Sequence, residues 1–310
     1  MQNTSASTAD TAAGPGPAPE DAARCRCGHP KGDHSDRRDH PSSPTVPRRP
    51  WCHACEGTCD YAPRGQEPED IAESFATGAW EFTPAVVDVF PEHVRASVPY
   101  YDAIQDLVAE AADWLLPDDG LVADLGASTG TTVHRIAQRH PTRQLRASLY
   151  DQETAMLDRA AETLAGVSNL HVDYVPADIR RSPLGHQDAN LTLALFTLQF
   201  LPLADRVHVL RQARHAAAST GALIVAEKVR PPDARWAEIA ADASHDWKAA
   251  HGITDSAIRA KARALRGVLQ PYPEVALVQA VHDAGWCCPE VLFRWHSWLV
   301  LGAFATPTGL

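Results

Sequence analysis

What the 310-residue sequence lacks already narrows its function. No apolar run approaches the roughly 18 residues that a membrane-spanning helix needs, so a membrane protein of the helical type is not expected. The N-terminal segment lacks the apolar stretch of a secretory signal, which predicts a cytoplasmic location. Positive charge is also scarce, because 28 Lys and Arg face 39 Asp and Glu for a net charge of −11. This acidic balance argues against a general nucleic-acid-binding protein.

Cysteine is rare outside two places in the chain. Five of the seven cysteines lie between Cys25 and Cys59, and the other two are the adjacent Cys287 and Cys288. In a cytoplasmic protein, clustered cysteines indicate metal binding more than disulfides. The adjacent pair precedes a predicted strand and is interpreted as part of the core.

The segment 24–62 has the residue types and spacing of a zinc site. Two chelating groups of Cys and His are separated by a Pro- and Arg-rich stretch, as a tetrahedral site requires. A segment of about 40 residues cannot build a core alone, so the metal would supply folding energy in a structural role. The candidate ligands are Cys25, Cys27, His34, Cys52, Cys55 and Cys59. We prefer Cys27, His34, Cys52 and Cys55; the alternative is a tail that binds no metal.

Composition and hydrophobic periodicity divide the chain into four regions. Residues 1–23 are rich in small and polar types and predict a disordered tail, and 24–62 form the zinc module. Residues 63–79 predict a linker with a short helix. Residues 80–310 alternate apolar strands with amphipathic helices, which predicts parallel βαβ units. The expected fold is a Rossmann-like α/β domain with a sheet covered on both faces.

The turn after the first predicted strand, Gly126-Ala127-Ser128-Thr129-Gly130, is compatible with two chemistries. It fits the G-x-S-x-G nucleophile elbow of hydrolases, with His282 or His296 as a base. However, several strands precede that elbow in hydrolases, whereas 121–125 is the first clear strand here. A nucleotide-binding turn is therefore the favoured interpretation.

A nucleotide-binding turn predicts an acidic residue about 20 positions later, at the end of the next strand, for the ribose hydroxyls. Asp151 has this position, 21 residues after Gly130. Asp178 follows the third strand, where the adenine would lie, and Asp124 lies within the first strand. Because G-x-G-x-x-G is absent, a phosphate-free nucleotide such as S-adenosylmethionine (SAM) fits better than NAD.

Seven segments between about residue 80 and residue 304 carry a family resemblance, and they are WEFTPAVVDVFPEHVRASVPYYD, VADLGASTG, YDQETAML, ADIR, FTLQFL, GALIVAEK and HDWKAAHG. Through them the chain resembles the class I SAM-dependent methyltransferases, and among these most closely the carboxy-S-adenosylmethionine synthase family. The resemblance implies a seven-stranded, mostly parallel sheet, SAM as the cofactor and a homodimer.

The resemblance and the strand-end acids together assign the cofactor-binding residues. They would surround the amino-acid tail, the ribose and the adenine, and they are Tyr101, Asp124, Gly126, Ala127, Ser128, Asp151, Gln152, Asp178, Ile179 and Leu195. At one of these positions the chain departs from the family, since Leu195 stands where the family has Asn.

A second departure concerns the reaction itself. The family binds the added carboxylate of its product with an Arg, and the aligned position here is Ala262, with Arg263 one residue later. A shift of one residue rotates a side chain by about 100° around a helix. Because recognition of an added carboxylate needs a cation, methyl transfer from SAM is the favoured function. Synthesis of carboxy-SAM from SAM and prephenate is the alternative.

Methyl transfer requires that the nucleophile and the methyl group be held in line, and a general base assists a protonated acceptor. His245 and Asp246, which follow the fifth predicted strand, are the catalytic candidates. Trp80 and Tyr101 are candidates for cation–π contact with the sulfonium. The expected acceptor is a small molecule. Outside the enzymes, the alternative is a SAM-binding sensor whose zinc module docks a partner.

Overall fold

A computed structural model describes residues 34–35, 51–52, 57–58, 75–82, 84–185 and 188–307. Within the chain, Cα proximity separates two compact units, Met1–Glu67 and Pro68–Leu310. No helix of the described ranges is long and apolar enough to cross a membrane.

The first unit contains a small antiparallel sheet. Its strands are β1 (His34–Ser35), β2 (Trp51–Cys52) and β3 (Gly57–Thr58), in that order across the sheet. The register places His34 directly opposite Cys52. The remaining predicted zinc ligands, Cys25, Cys27, Cys55 and Cys59, lie outside the described residues. Among the residues that are described, no group of three potential metal ligands occurs.

The second unit is built on a mixed sheet that has seven strands in the part of the chain described. They are β4 (Gly120–Leu125), β5 (Leu145–Asp151), β6 (Leu170–Pro176), β7 (Ala189–Leu195), β8 (Ala217–Lys228), β9 (Cys287–Trp295) and β10 (Trp298–Phe304). Their order is β6-β5-β4-β7-β8-β10-β9. The first five are parallel, and β10 is antiparallel to both of its neighbours. The predicted Rossmann-like α/β architecture is confirmed.

Eight α-helices accompany the sheet within the described ranges. They are α1 (Pro84–Ser97), α2 (Tyr101–Leu115), α3 (Thr131–Arg139), α4 (Thr154–Leu164), α5 (Leu203–Ala216), α6 (Ala234–Ala250), α7 (Asp255–Ala264) and α8 (Glu274–Asp283). The sequence predicts one helical stretch over 233–284, where the structure has α6, α7 and α8. The sequence pattern does not predict helix α1.

Helices cover both faces of the sheet because neighbouring strand residues point to opposite sides. On one face, Leu193 and Ile224 pack in a core with residues of α2, α3 and α4. On the other face, Ala194 and Val225 pack with residues of α5 and α8. In such a sheet the ligand site lies at the carboxyl ends of the parallel strands, where the order of strands reverses.

Candidate active site

A cavity of about 970 Å³ lies at the carboxyl ends of the parallel strands. Its lining includes every residue that the sequence assigns to the cofactor: Tyr101, Asp124, Gly126, Ala127, Ser128, Asp151, Gln152, Asp178, Ile179 and Leu195. Pockets for small molecules commonly measure about 300–1,000 Å³. The cavity is therefore large enough to hold a second ligand beside a nucleotide.

The turn after β4 requires glycine at its first position. Gly126 has φ +81°, and a Cβ there would lie 2.4 Å from the Thr197 hydroxyl oxygen. Ser128 also has a positive φ, and its hydroxyl donates to the Met156 sulfur at 3.3 Å. The hydroxyl is thus held by a thioether and not by an imidazole, so the nucleophile elbow of a hydrolase is not assembled here.

Asp151 ties this turn to the start of α4. Its carboxylate accepts the Ser128 N–H at 2.9 Å and the Glu153 N–H at 3.0 Å. Burial raises the pKa of Asp151, and these backbone donors oppose the rise. Each oxygen retains a second lone pair for a ribose hydroxyl. The neighbouring Gln152 directs its amide to the Glu153 carboxylate at 3.2 Å.

Asp124 is a buried acid that lacks a partner. Its side chain lines the cavity, and no described residue donates a hydrogen bond to it or forms an ion pair with it. Burial, and secondarily the charge of Asp151, raises the pKa of Asp124 to about 7. A buried carboxylate without a partner is unfavourable. The cationic amino group of SAM would provide one, so the residues present fit this cofactor.

Asp178 is already engaged by a neighbouring cation. The Arg180 guanidinium donates to its two oxygens at 2.9 and 2.7 Å, and the Arg180 N–H donates at 3.0 Å. The hydrogen bond from Arg180 is the main reason that the pKa of Asp178 is lowered. An adenine bound here would share this carboxylate with Arg180, and Leu195 offers its side chain only for apolar contact.

The other part of the cavity is aromatic. Its lining includes Trp80, Phe82, Phe90, Tyr101, Phe196, Phe200 and Trp298. Burial raises the pKa of Tyr101 to about 12, so its hydroxyl stays neutral near pH 7. Trp80 lies 5.1 Å from the Phe75 ring and 6.0 Å from the His93 ring, measured between centroids. This wall is suited to an apolar group or a sulfonium.

Four basic residues of the cavity are not predicted as site residues by the sequence. His93 on α1 and Lys228, Lys248 and Lys261 line the cavity together. Lys261 donates to the Ser97 hydroxyl at 3.0 Å and contacts the His93 ring. Burial first, and then Lys261 and Lys248, lower the pKa of His93 to about 3, so His93 is a neutral acceptor.

The predicted catalytic pair lies elsewhere. His245 is within 2.8 Å of the Asp255 carboxylate at a partly exposed position, and neither His245 nor Asp246 lines the cavity. Of the two residues compared with the family's Arg, Ala262 lines the cavity. Arg263 lines a separate small pocket beside Phe75.

Comparison with known proteins identifies a domain and a family. A family model described as a methyltransferase domain matches residues 122–221. The carboxy-S-adenosyl-L-methionine synthase of Haemophilus ducreyi is 30% identical over 70% of this chain and 88% of its own length. The protein of the same name from Chromohalobacter salexigens is 32% identical over 73% of this chain and 83% of its own length.

Solved structures support the same fold. An O-methyltransferase family protein from Burkholderia thailandensis superposes with a TM-score of 0.52 at 18% identity, over 70% of this chain and 59% of that chain. Human N-acetylserotonin methyltransferase, solved with SAM, gives a TM-score of 0.52 at 15% identity, over 72% of this chain and 56% of that chain. This chain therefore spans less than two thirds of those structures.

Residues 122–221 match a methyltransferase domain, and the fold is that of the class I SAM-dependent methyltransferases. Within that class, the chain belongs to the carboxy-S-adenosyl-L-methionine synthase family.

Proposed function

We propose that the protein transfers the methyl group of SAM to a small-molecule acceptor bound in the same cavity. The observation that carries this proposal is the unpaired Asp124 carboxylate beside the Gly126 turn and Asp151. The unpaired buried acid and the close-approach glycine suit the amino-acid tail of SAM, and Asp151 suits its ribose. The remaining volume and the aromatic wall suit the acceptor.

When bound, SAM supplies an electrophilic methyl group on a sulfonium. The chain's own residues have to position the acceptor and exclude water. Tyr101 and Trp80 present aromatic faces that favour a cation over water. The base role predicted for His245 and Asp246 stays a prediction, and no contact with the cavity supports it.

Calorimetry with SAM and with S-adenosylhomocysteine (SAH) tests the cofactor site. Turnover of methyl-labelled SAM with a metabolite extract tests the reaction. We expect binding of both compounds and transfer of label to a small molecule. Binding without turnover would instead favour the sensor, and failure to bind either compound would contradict the cofactor assignment itself.

Carboxy-SAM synthesis is the second candidate, and one observation favours it. Ala262 cannot bind a carboxylate, but three lysines line the same cavity and could supply the missing positive charge. The relatives named above add support. Incubation of the protein with SAM and prephenate, followed by mass analysis, distinguishes the two reactions, because a cofactor heavier by one CO₂ appears only in this case.

For the first unit we propose a structural zinc ion bound by Cys27, His34, Cys52 and Cys55. The spacing of the ligands supports it, and so does the register that places the backbone of His34 opposite Cys52. A homodimer, as implied by the family, is the proposed assembly, and light scattering of the full chain tests it.

A further inference from the structure

Lysines are few in this protein, and most of them lie in one place. Only four of the 28 Lys and Arg residues are lysines, and three of these, Lys228, Lys248 and Lys261, line the cavity described above. They come from the end of β8, from α6 and from α7, so the fold brings together residues distant in sequence. A chain that otherwise uses arginine thus places its lysines around a ligand cavity.

None of the three lysines is neutralised by an acid among the described residues. Burial lowers the pKa of Lys228, and burial followed by the charges of neighbouring lysines lowers the pKa values of Lys248 and Lys261. The pKa of Lys248 falls to about 8, and that of Lys261 falls well below its usual value. The described hydrogen-bond partners of Lys261, Ser97 and His93, are both neutral. Clustered cations without a counterion are unfavourable, and a bound anion would relieve their repulsion.

The aromatic residues around the lysines indicate what kind of group is attached to the bound anion. The Lys261 ammonium lies 5.2 Å from the Trp80 ring centre, and the Lys228 ammonium lies 5.9 Å from that of Trp298. Phe82, Phe90 and Phe200 complete the apolar wall. Cations set among aromatic rings suit a carboxylate attached to an apolar or aromatic group better than a small hydrated ion.

We propose that Lys228, Lys248 and Lys261 form a subsite for the carboxylate of an aromatic or apolar ligand bound next to the cofactor. The inference rests on the proposed function only in that a cofactor occupies the Asp124 end of the cavity. The carboxylate has two possible sources, the acceptor and a carboxymethyl group on the cofactor's sulfonium. Both place the same group beside the same lysines.

Binding experiments on the full chain test the subsite without requiring turnover. The SAH-saturated protein is titrated with phenylacetate, phenylpyruvate and 4-hydroxybenzoate, and separately with the neutral amide of each. A second arm compares the affinities of carboxy-SAM and SAM for the protein without other ligands. The variants are Lys248→Met and Lys261→Met, which keep an apolar stem, with Arg159→Met on the exposed face of α4 as the matched loss of one cation.

We expect at least one acid to bind about tenfold or more tightly than its amide, or carboxy-SAM to bind that much more tightly than SAM. Each cavity variant should remove this preference while SAH affinity and the circular dichroism spectrum remain unchanged, and Arg159→Met should preserve it. Preference for an acid identifies the acceptor as the source, and preference for carboxy-SAM identifies the cofactor.

Equal affinities in both arms, or a preference that survives both cavity variants, would overturn the subsite. Loss of SAH binding by the wild-type protein would be a different failure, that of the proposed function. The two results are distinguishable because SAH binding is measured first.

Discussion

A single unpaired carboxylate gives the cofactor site its expected pH dependence. The pKa of Asp124 is about 7 in the free protein, so below this pH the group is protonated and must lose its proton to pair with an ammonium. We expect the affinity for SAH to fall by up to about tenfold per pH unit below pH 7 and to level off above it. Calorimetry across this range measures the effect.

The control for this prediction is Asp124→Asn, which cannot titrate. Its affinity for SAH should be lower at pH 8 and nearly independent of pH, whereas Glu162→Gln, at an exposed ion pair, should behave as wild type. A wild-type profile in the Asn variant would contradict the role of Asp124.

The same shift predicts the effect of this residue on the stability of the ligand-free protein. Because the folded-state pKa lies above the unfolded value, the contribution of Asp124 to stability is present below about pH 4 and is lost as the pH rises to about 7. Denaturation of wild type and Asp124→Asn at several pH values should show the difference growing over this interval.

At the residue scale, the strand-end acids were predictable and the lysines were not. Asp151 could be found because a fixed number of residues separates a nucleotide-binding turn from the end of the next strand. Lys228, Lys248 and Lys261 follow no such spacing, since they meet only through the packing of β8, α6 and α7. Their scarcity in the sequence was the one available signal.

At the scale of elements, a glycine in the turn between β4 and α3 can be compared with a glycine of similar backbone conformation that follows α4. Gly126 and Gly166 have nearly the same φ, +81° and +83°, but a Cβ at Gly126 would strike Thr197 while one at Gly166 would meet nothing within 4 Å. Gly166→Ala should cost about 1–2 kcal/mol from the backbone alone. Gly126→Ala should cost about 1–3 kcal/mol more and weaken SAH binding.

Urea denaturation and SAH titration of both variants test this prediction. Adding Thr197→Ala to Gly126→Ala should restore part of the loss, because it removes the atoms in conflict. Equal stabilities of the two Ala variants would show that the turn tolerates a side chain.

A buried ion pair fixes the end of β8. Arg206 donates to Glu227 at 2.9 Å and to the backbone oxygens of Leu201 and Gln270, and both side chains of the pair are 1% exposed. We expect Arg206→Met to destabilise the protein by about 3–5 kcal/mol, because it leaves a buried acid without a partner. Thermal or urea unfolding measures this.

The double variant Arg206→Met with Glu227→Gln is the control, and it should recover much of that loss. Because Lys228 follows Glu227, the single variant should also weaken binding of an acid in the cavity. Glu227→Gln is also measured alone, and a loss in the double variant equal to the sum of the losses of the two single variants would contradict direct pairing.

The sequence predicts helices and strands correctly where the hydrophobic periodicity is regular. It misses them where residues that line the cavity interrupt that periodicity. The apolar strand 121–125 agrees with β4 to within one residue. The sequence pattern does not indicate helix α1 because Pro91 lies inside it. In addition, polar residues such as His93 and Ser97 line the cavity and interrupt the apolar stripe of the helix. The side of α6 that faces the cavity is likewise set by packing, so the sequence pointed to His245 and missed Lys248.

At the scale of the whole molecule, the two units are expected to serve separate purposes. The purified 310-residue chain should contain one zinc ion, and Cys52→Ser or Cys55→Ser should remove it because a tetrahedral site needs all four ligands. Elemental analysis measures the metal. SAH affinity should be unchanged in these variants, and Cys288→Ser should retain the zinc.

The shared cavity has a consequence for the order of events in a catalytic cycle. An anion in the lysine subsite would also be attracted by a sulfonium bound beside it, and methyl transfer would convert that sulfonium into a neutral thioether. The lysines alone would then hold the anion, so its binding would be weaker in the product complex. Chemistry would thereby favour departure of the product, and the residence time of an acid should be shorter on the SAH complex than on the SAM complex.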